Sequence, residues 1–410
     1  MVSFLSLASS SFYETLTTAV WILLPIFFAM LFWQLRLQYK RMQFLAKVEW
    51  QILEIKIPDK NEKSLRSMEQ VFASLFGMYS FGIKWMDKYL DGKVDLWMSF
   101  EMVGRGGVTS FYVRTPSQFR HLLESSVYAQ FPDAEIVPAQ DYTQELPSML
   151  PNETFDLMGF SYNLIKGNAY PIKTYDFFEQ STRMSMDRSA GPSFLDPLSP
   201  VFEAMSKLKD NEMIWMQLLI SPTGGATGND IKKEGEAEIK KIMDDSTPKK
   251  EGVPSGAPVL SGGKRDIIAA IERKISKHAF QFTLRFMYID KKDSFSPLNI
   301  AAVNGALQQF NTQNMNGFKP GFVTAHGGWM AKLVPSYKKS KVLAKKRMMY
   351  DYFVKRRFGI SNRIADEALP VLSSEELATI FHFPTSVVKA PRIQHIDSRR
   401  GGAPVNLPVE

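Results

Sequence analysis

The sequence predicts an α+β protein with one N-terminal transmembrane helix. Three observations predict this class: an uncharged run of twenty residues at 16–35, an alternation of strand and helix patterns over residues 50–145, and a second alternation over residues 154–312. Because strands and helices mix within each soluble region, we expect two ferredoxin-like (split βαβ) sandwiches. A C-terminal basic, partly helical region is predicted to follow at residues 313–410.

The composition limits the chemistry that the chain can perform. With 410 residues there is enough chain for two to three domains. Cysteine is absent, which excludes disulfides, thiolate metal sites and thiol nucleophiles. No two of the five histidines lie within ten residues of each other, so a local motif such as HExxH is excluded. A net charge of +8 favours anionic partners such as nucleic acid or phospholipid headgroups.

The uncharged run at residues 16–35 is long enough to cross a bilayer. At 1.5 Å per helical residue it spans about 30 Å, the thickness of the hydrocarbon core. Trp21 and Trp33 fall toward its two ends, where indole rings prefer the interface. A cleaved signal peptide is disfavoured, because residues 1–15 contain no Lys or Arg and no A-x-A site follows the run. We therefore expect a retained helix.

The charges that flank this run are asymmetric. Glu14 is the only charged side chain before it, whereas the juxtamembrane segment 36–49 carries the cations Arg36, Lys40, Arg41 and Lys47. The positive-inside rule then predicts a single-pass protein of the cell membrane, with residues 1–15 outside and the C-terminal bulk in the cytoplasm. These cations either serve only to set the topology or also contact anionic lipid.

The first soluble region, residues 50–145, follows the order β-α-β-β-α-β. Strand patterns occur at residues 50–57, 95–102, 108–114 and 134–138, and amphipathic helices are predicted from Ser64 and from Ser117. The pattern at 95–102 alternates strictly. It predicts Met98 and Phe100 on the core side and Ser99 and Glu101 on the solvent side of a half-buried strand.

The second soluble region, residues 154–312, again mixes both patterns, as a degenerate copy of the first would. Strands are predicted at residues 155–165, 213–220 and 279–290, and helices at residues 198–208, 264–278 and 297–310. Gly, Pro and charged residues dominate positions 222–263, which predicts a flexible insertion with one short helix at 235–245. No repeat is visible residue by residue.

The motifs of catalysis are missing from the sequence. The nearest approach to a phosphate-binding loop, around Gly263 and Lys264, has Pro258 at its first glycine position and Arg265 in place of the hydroxyl residue. No G-x-S-x-G nucleophile elbow occurs. Glu375 and Glu376 are explained as first-turn residues of a short helix at 373–381. We therefore predict no enzyme activity, no cofactor and no metal site.

The stretch 338–357 is the strongest functional signal, because it places nine cations among aromatic residues. The predicted polyanion-binding or partner-binding residues are Lys338, Lys339, Lys341, Lys345, Lys346, Arg347, Lys355, Arg356 and Arg357. The interleaved rings belong to Tyr337, Tyr350, Tyr352, Phe353 and Phe358. Such a mixture neutralises phosphates and stacks bases. A solvated helix face and a contact surface for an acidic protein are the alternatives.

Two stretches of sequence resemble known families. Residues 372–391, LSSEELATIFHFPTSVVKAP, and residues 398–408, SRRGGAPVNLP, resemble a segment that precedes the motor in type IV secretion and conjugative-transfer ATPases of the HerA–FtsK class. Residues 68–75, 111–116 and 128–136 are similar to an uncharacterised family of one-anchor proteins from small-genome bacteria. The chain ends at Glu410, where such ATPases would begin their P-loop domain. The resemblance therefore implies the non-motor portion of such a system.

These observations predict that the protein is a membrane-anchored, non-catalytic scaffold or adaptor. Its partner would be a DNA-translocation or type IV secretion-like ATPase encoded on another chain. The expected partners are the membrane, that P-loop ATPase, DNA, and a second copy of the chain. Two alternatives stay open. One is a membrane-tethered nucleic-acid-binding protein that acts through residues 338–358. The other is an enzyme whose site is assembled from scattered residues.

Overall fold

The computed structural model describes residues 2–58, 63–79, 83–178, 196–223, 230–246, 260–325, 335–359, 369–384 and 392–393. These residues fall into two compact units. The first contains the N-terminal helix and residues 83–95, and the second contains the remainder of the described chain.

The first unit is built on helix α1, Val2–Ala46. Its part Val20–Ala46 is long and apolar enough to cross a membrane, judged by length and composition, and its apolar side chains from Val20 to Leu35 are exposed. This finding confirms the predicted N-terminal apolar helix. The helix also continues through most of the basic segment 36–49. A short helical segment at residues 85–91, of which Asp87–Asp91 is a π-helix, completes the unit.

The second unit is organised by one mixed sheet of ten strands, mostly antiparallel. The strands are β1 Trp50–Lys56, β2 Met98–Arg105, β3 Val108–Pro116, β4 Glu135–Pro138, β5 Phe155–Leu164, β6 Met213–Pro222, β7 Ala279–Lys291, β8 Phe318–Val323, β9 Val371–Ser373 and β10 Arg392–Ile393. Their order is β4-β1-β3-β2-β6-β7-β5-β8, with β9 beside β7 and β10 parallel to β3. With the helices that follow, this architecture confirms the α+β class.

The helices of the second unit lie close to their predicted positions. They are α2 Leu65–Leu75, α3 Arg120–Gln130, α4 Ser199–Ser206, α5 Ile231–Asp244, α6 Gly262–Ile275, α7 Pro297–Gln308, α8 Pro335–Val354 and α9 Ser374–Ile380. Within the predicted insertion, α5 is described, whereas residues 224–229 and 247–259 lie outside the described residues. Helix α9 begins with a capping box between Ser373 and Glu376, as expected from the first-turn acidic residues.

The two predicted α+β regions share the same sheet. Strand β2 pairs with β6 over eight residue pairs, from Met98 with Ile220 to Arg105 with Met213. Each of these strands is the second strand of its own half and would otherwise be an edge. Pairing them removes two exposed edges, which are a liability in any open sheet. A boundary between residues 145 and 154 therefore does not separate two sheets.

Both faces of the central strands are buried. Successive residues alternate between two cores, as Met102 and Val103 do on β2 and Phe286 and Met287 do on β7. The larger core includes residues of α2, α3, α4, α7 and α9, and the smaller one includes Tyr142, Leu146, Leu150, Tyr350 and Phe353. The predicted solvent-facing side chains Ser99 and Glu101 are only 1% and 0% exposed, so that prediction is wrong.

Candidate functional site

Helix α8 carries most of the predicted partner-binding cations, and its two halves have different environments. Lys338, Lys339 and Lys341 are exposed on its N-terminal half, and Arg347 is exposed just past its middle. Its last turns bury the side chains of Met349, Tyr350, Tyr352 and Phe353. We call α8 the basic helix. One end is therefore packed on the sheet while the other presents positive charge to the surroundings.

Several cations of the stretch are compensated by neighbours within the chain. The Lys346 ammonium lies 2.6 Å from a carboxylate oxygen of Asp156. The Lys345 ammonium lies 5.6 Å from the centre of the Phe322 ring, within cation–π range. Asp351, in the last turn of the helix, pairs with two cations beyond it, Lys355 and, at 3.3 Å, Arg357. The polyanion-binding role predicted for these residues stays a prediction.

Arg356 is placed differently from the other eight cations, because it is only 1% exposed. Its Nε and Nη2 donate to the two carboxylate oxygens of Glu101 at 2.9 and 3.1 Å. Its Nη1 and Nη2 donate to the two oxygens of Asp141 at 2.6 and 3.0 Å. Bidentate pairing of this kind is strong and directional. Arg356 also has a φ of +48°, which a non-glycine residue keeps only when its surroundings enforce it.

A row of polar side chains crosses the central sheet beneath the end of the basic helix. Glu101 on β2 stands opposite Gln217 on β6, which stands opposite Arg285 on β7. Gln217 donates to Glu101 at 3.1 Å and to the carbonyl of Phe353 at 3.1 Å. Arg285 donates to Gln217 at 3.0 Å and to the carbonyl of Tyr352 at 3.2 Å. The row thus adds side-chain donors to two carbonyls at the C-terminal end of the helix, which also accept from the backbone N–H groups of Arg356 and Arg357.

We call Arg356, Glu101, Asp141, Tyr142 and Gln217 the arginine cluster. Burial opposes ionisation of Asp141, but its bonds to Arg356 prevail and lower the pKa of Asp141 below its usual value. Burial raises the pKa of Tyr142 well above its usual value, and the neighbouring Glu101 adds to this effect. The Tyr142 hydroxyl donates to Glu101 at 2.7 Å. Each of these charged groups thus has a partner inside the protein, so the cluster holds the C-terminal end of the basic helix on the sheet.

Most aromatic rings of the stretch are not accessible. Tyr350, Tyr352 and Phe353 are buried. Phe358 stacks on Trp97 with ring centroids 5.7 Å apart. The side chain of Tyr337 lies outside the described residues. Base stacking needs an exposed ring face, so the three buried rings cannot serve as stacking platforms.

A second candidate site, which no sequence motif predicted, is a cleft of about 540 Å³. It lies between α6 and the segments 171–177 and 312–315, with apolar walls that include Ile172, Phe177 and Met315. Lys274, almost fully buried in its wall, lies 3.0 Å from Glu376 and also donates to the carbonyl of Val371 at 3.1 Å. Burial lowers the pKa of Lys274, although Glu376 opposes the shift.

The ion pairs along this cleft also join parts of the protein to one another. Arg273 contacts Asp176 at 2.6 Å and Glu375 at 2.9 Å. Glu375 and Glu376, interpreted from sequence as residues of a helix start, therefore also hold α9 against α6. Perturbed pKa values near a cleft mark candidate functional sites, but structural ion pairs produce them as well. Here each named charge has a partner within the chain, which favours the structural role.

The four cations predicted to flank the membrane occupy different environments in the first unit. The Arg36 guanidinium lies 5.4 Å from the centre of the Trp33 ring. Lys40 is half-buried, Arg41 is buried and Lys47 is exposed. Among the described residues, no group of three or more His, Asp or Glu side chains is placed to hold a metal ion.

Comparison with known proteins gives a family but no function. None of the curated proteins matches the chain. A family model described as "Domain of unknown function (DUF8128)" matches residues 34–395. The match includes both halves of the sheet, the basic helix and the cleft. The chain therefore belongs to the DUF8128 family.

Proposed function

We propose that this protein is a membrane-anchored, non-catalytic scaffold or adaptor for a P-loop ATPase encoded on another chain. In this proposal α1 spans the cell membrane once, residues 1–15 lie outside, and the second unit is cytoplasmic. The ATPase belongs to the DNA-translocation or type IV secretion-like class, as the resemblance of residues 372–391 and 398–408 implies. The basic helix is the surface that meets the partner.

The observation that carries the proposal is the way the basic helix is held. The arginine cluster and the buried rings fix its C-terminal end on the sheet, while Lys338, Lys339 and Arg347, which precede that end, are exposed. A row of cations on a rigid element loses little conformational entropy on binding. It is therefore suited to a defined acidic surface on a protein partner, where charge complementarity sets specificity and association rate.

We also propose that each half of the sheet is a ferredoxin-like unit. The first half has strand order β4-β1-β3-β2, and the second has β8-β5-β7-β6. Each order places the first strand between the third and the fourth. This correspondence, together with the helices between the strands, supports the split βαβ interpretation of both halves. Joined edge to edge, two such units form a broad platform that suits a scaffold.

A second candidate function is nucleic-acid binding at the membrane through the same exposed cations. Phosphate contacts need positive charge and no base stacking, so the buried rings do not oppose this function. It has a distinct signature, because log affinity for duplex DNA would fall linearly with log salt. Changing Lys338, Lys339 and Arg347 to Ala would then reduce that slope by about 2.7.

Affinity isolation of the full-length protein from host membranes tests the scaffold proposal. The membranes are solubilised in mild detergent and treated with nuclease before the partners are identified. We expect a P-loop ATPase with the natural protein and its loss with the triple variant K338A/K339A/R347A. The matched control K232A/K240A/K292A removes three other exposed lysines and should retain the ATPase. Absence of any ATPase from the natural sample would contradict the proposal.

A further inference from the structure

The helical segment at residues 85–91 exposes large apolar side chains beside α1. Trp85 is 67% exposed, Met86 63% and Leu90 37%. The segment and α1 belong to the same compact unit. We propose that residues 85–90 are a second membrane contact, lying in the headgroup region of the bilayer that α1 crosses, on the side where α1 continues to Ala46. This inference rests on the proposed membrane anchorage but not on the identity of the protein partner.

The contact between the segment and α1 fixes the depth of the segment relative to the bilayer. Gly92, with a φ of +70°, ends the segment. A Cβ atom placed on it would lie 2.7 Å from backbone atoms of both Lys40 and Arg41, so the two backbones touch there. Arg41 is six residues beyond Leu35, the end of the uncharged run, or about 9 Å further along the helix axis. The headgroup region extends about 5–8 Å on each side of the hydrocarbon core. Gly92 therefore lies near the outer edge of the headgroup region.

The geometry of the segment keeps it close to this level. The Lys93 ammonium pairs with the Asp87 carboxylate at 3.2 Å, and the backbone N–H of Lys93 donates to the carbonyl of Asp87 at 3.0 Å. These bonds close the end of the helical segment beside its contact with α1. Seven helical residues extend only about 10 Å, so every residue of the segment lies within about 10 Å of the level of Gly92.

The side chains of the segment have the chemistry of an interface. Trp85 and Tyr89, four residues apart on one helical face, have ring centroids 5.4 Å apart. Indole and phenol rings partition to the membrane interface because they join an apolar body to a polar group. Between residues 83 and 95 the three lysines and three aspartates cancel in charge. The aromatic and thioether groups therefore carry the interaction, and a zwitterionic bilayer is sufficient.

Depth measurement on the full-length protein tests the proposal. The chain has no cysteine, so Met86→Cys can be labelled uniquely with an environment-sensitive fluorophore. The protein is reconstituted in phosphatidylcholine vesicles that contain lipids with a nitroxide at a shallow or a deep acyl position. We expect blue-shifted emission from the label at residue 86, with stronger quenching by the shallow nitroxide. Adding Trp85→Ala should weaken that quenching, because it removes the aromatic anchor.

Two reference labels separate this inference from the anchorage on which it depends. A label at Phe27→Cys, within the apolar run, should be quenched most strongly by the deep nitroxide. A label at Lys47→Cys, beyond the helix end, should emit as in water. If the label at residue 27 is quenched but that at residue 86 behaves like that at residue 47, the second membrane contact is refuted while the anchor stands. If neither position is quenched, the anchorage and this inference both fail.

Discussion

Arg356 pairs with Glu101 although the two residues are 255 positions apart in the chain. The guanidinium Nε lies 2.9 Å from one carboxylate oxygen of Glu101, and Nη2 lies 3.1 Å from the other. Both side chains are almost completely buried. The pair therefore joins the end of the basic helix to the second strand of the sheet, and the presentation of the exposed cations depends on it.

Replacing Arg356 by Ala should destabilise the protein strongly. The change leaves Glu101 buried without its cationic partner, and removing one member of a buried ion pair costs about 3–5 kcal/mol. The free energy of unfolding can be measured on the full-length protein in detergent by urea titration. Arg357→Ala is the matched control, because Arg357 lies on the surface and exposed pairs contribute about 0–1 kcal/mol. Equal losses of unfolding free energy from the two changes would show that the cluster does not hold the helix on the sheet.

Asp141 should make stability depend on pH. Because its pKa is lowered in the folded state, the ionised carboxylate favours folding. That contribution is fully present above the unfolded pKa of about 3.9 and is lost as the pH falls through the lower folded pKa. The difference in unfolding free energy between the natural protein and Asp141→Asn should therefore be constant near neutral pH and shrink below about pH 4. A difference that grows on acidification would contradict the assignment.

Glu376→Ala should be among the most destabilising changes in α9. It leaves the ammonium of Lys274 buried without its carboxylate and removes the capping box with Ser373. The first effect costs about 3–5 kcal/mol, and the lost cap adds about 1 kcal/mol. Glu272→Ala, on the exposed face of α6, serves as control in the same urea titration. If both changes cost less than about 1 kcal/mol, the buried pair has no structural role.

The proposed topology predicts which parts of the protein a protease can reach. The basic flank after the apolar run favours a cytoplasmic second unit. Protease added to intact cells should leave a C-terminal tag and the second unit uncut, whereas permeabilised cells should show rapid cleavage. Cleavage in intact cells would reverse the orientation. A protein that washes from membranes at alkaline pH would instead contradict the anchor itself.

The sequence predicted most elements because their signals are local. The period-two patterns of β1, β2 and β7 and the cap of α9 lie within windows of a few residues. Strand β8 was not predicted, because Pro320 and Gly321 interrupt its pattern. The helical segment at residues 85–91 was also missed, since charges occur on more than one of its faces.

The site depends on relationships that no local window contains. Glu101 was interpreted as solvent-facing because polar residues at alternate strand positions usually are, yet its partner Arg356 is contributed from far along the chain. The pairing of β2 with β6 likewise joins two regions that the sequence presents as separate. The charge of the basic helix is evident in the sequence. Its division into exposed cations and buried rings is not, because that division depends on how the helix packs against the sheet.

The most direct test of the scaffold proposal places a photoreactive probe on the basic helix. Lys339→p-benzoylphenylalanine, in the full-length protein in its own membranes, should crosslink on illumination to a P-loop ATPase, and the product should survive nuclease. The same probe at Lys240, an exposed position on α5, should give no such product. If the probe at residue 339 crosslinks only to nucleic acid, or yields no ATPase under conditions where the ATPase is present, the basic helix is not the surface that holds a motor.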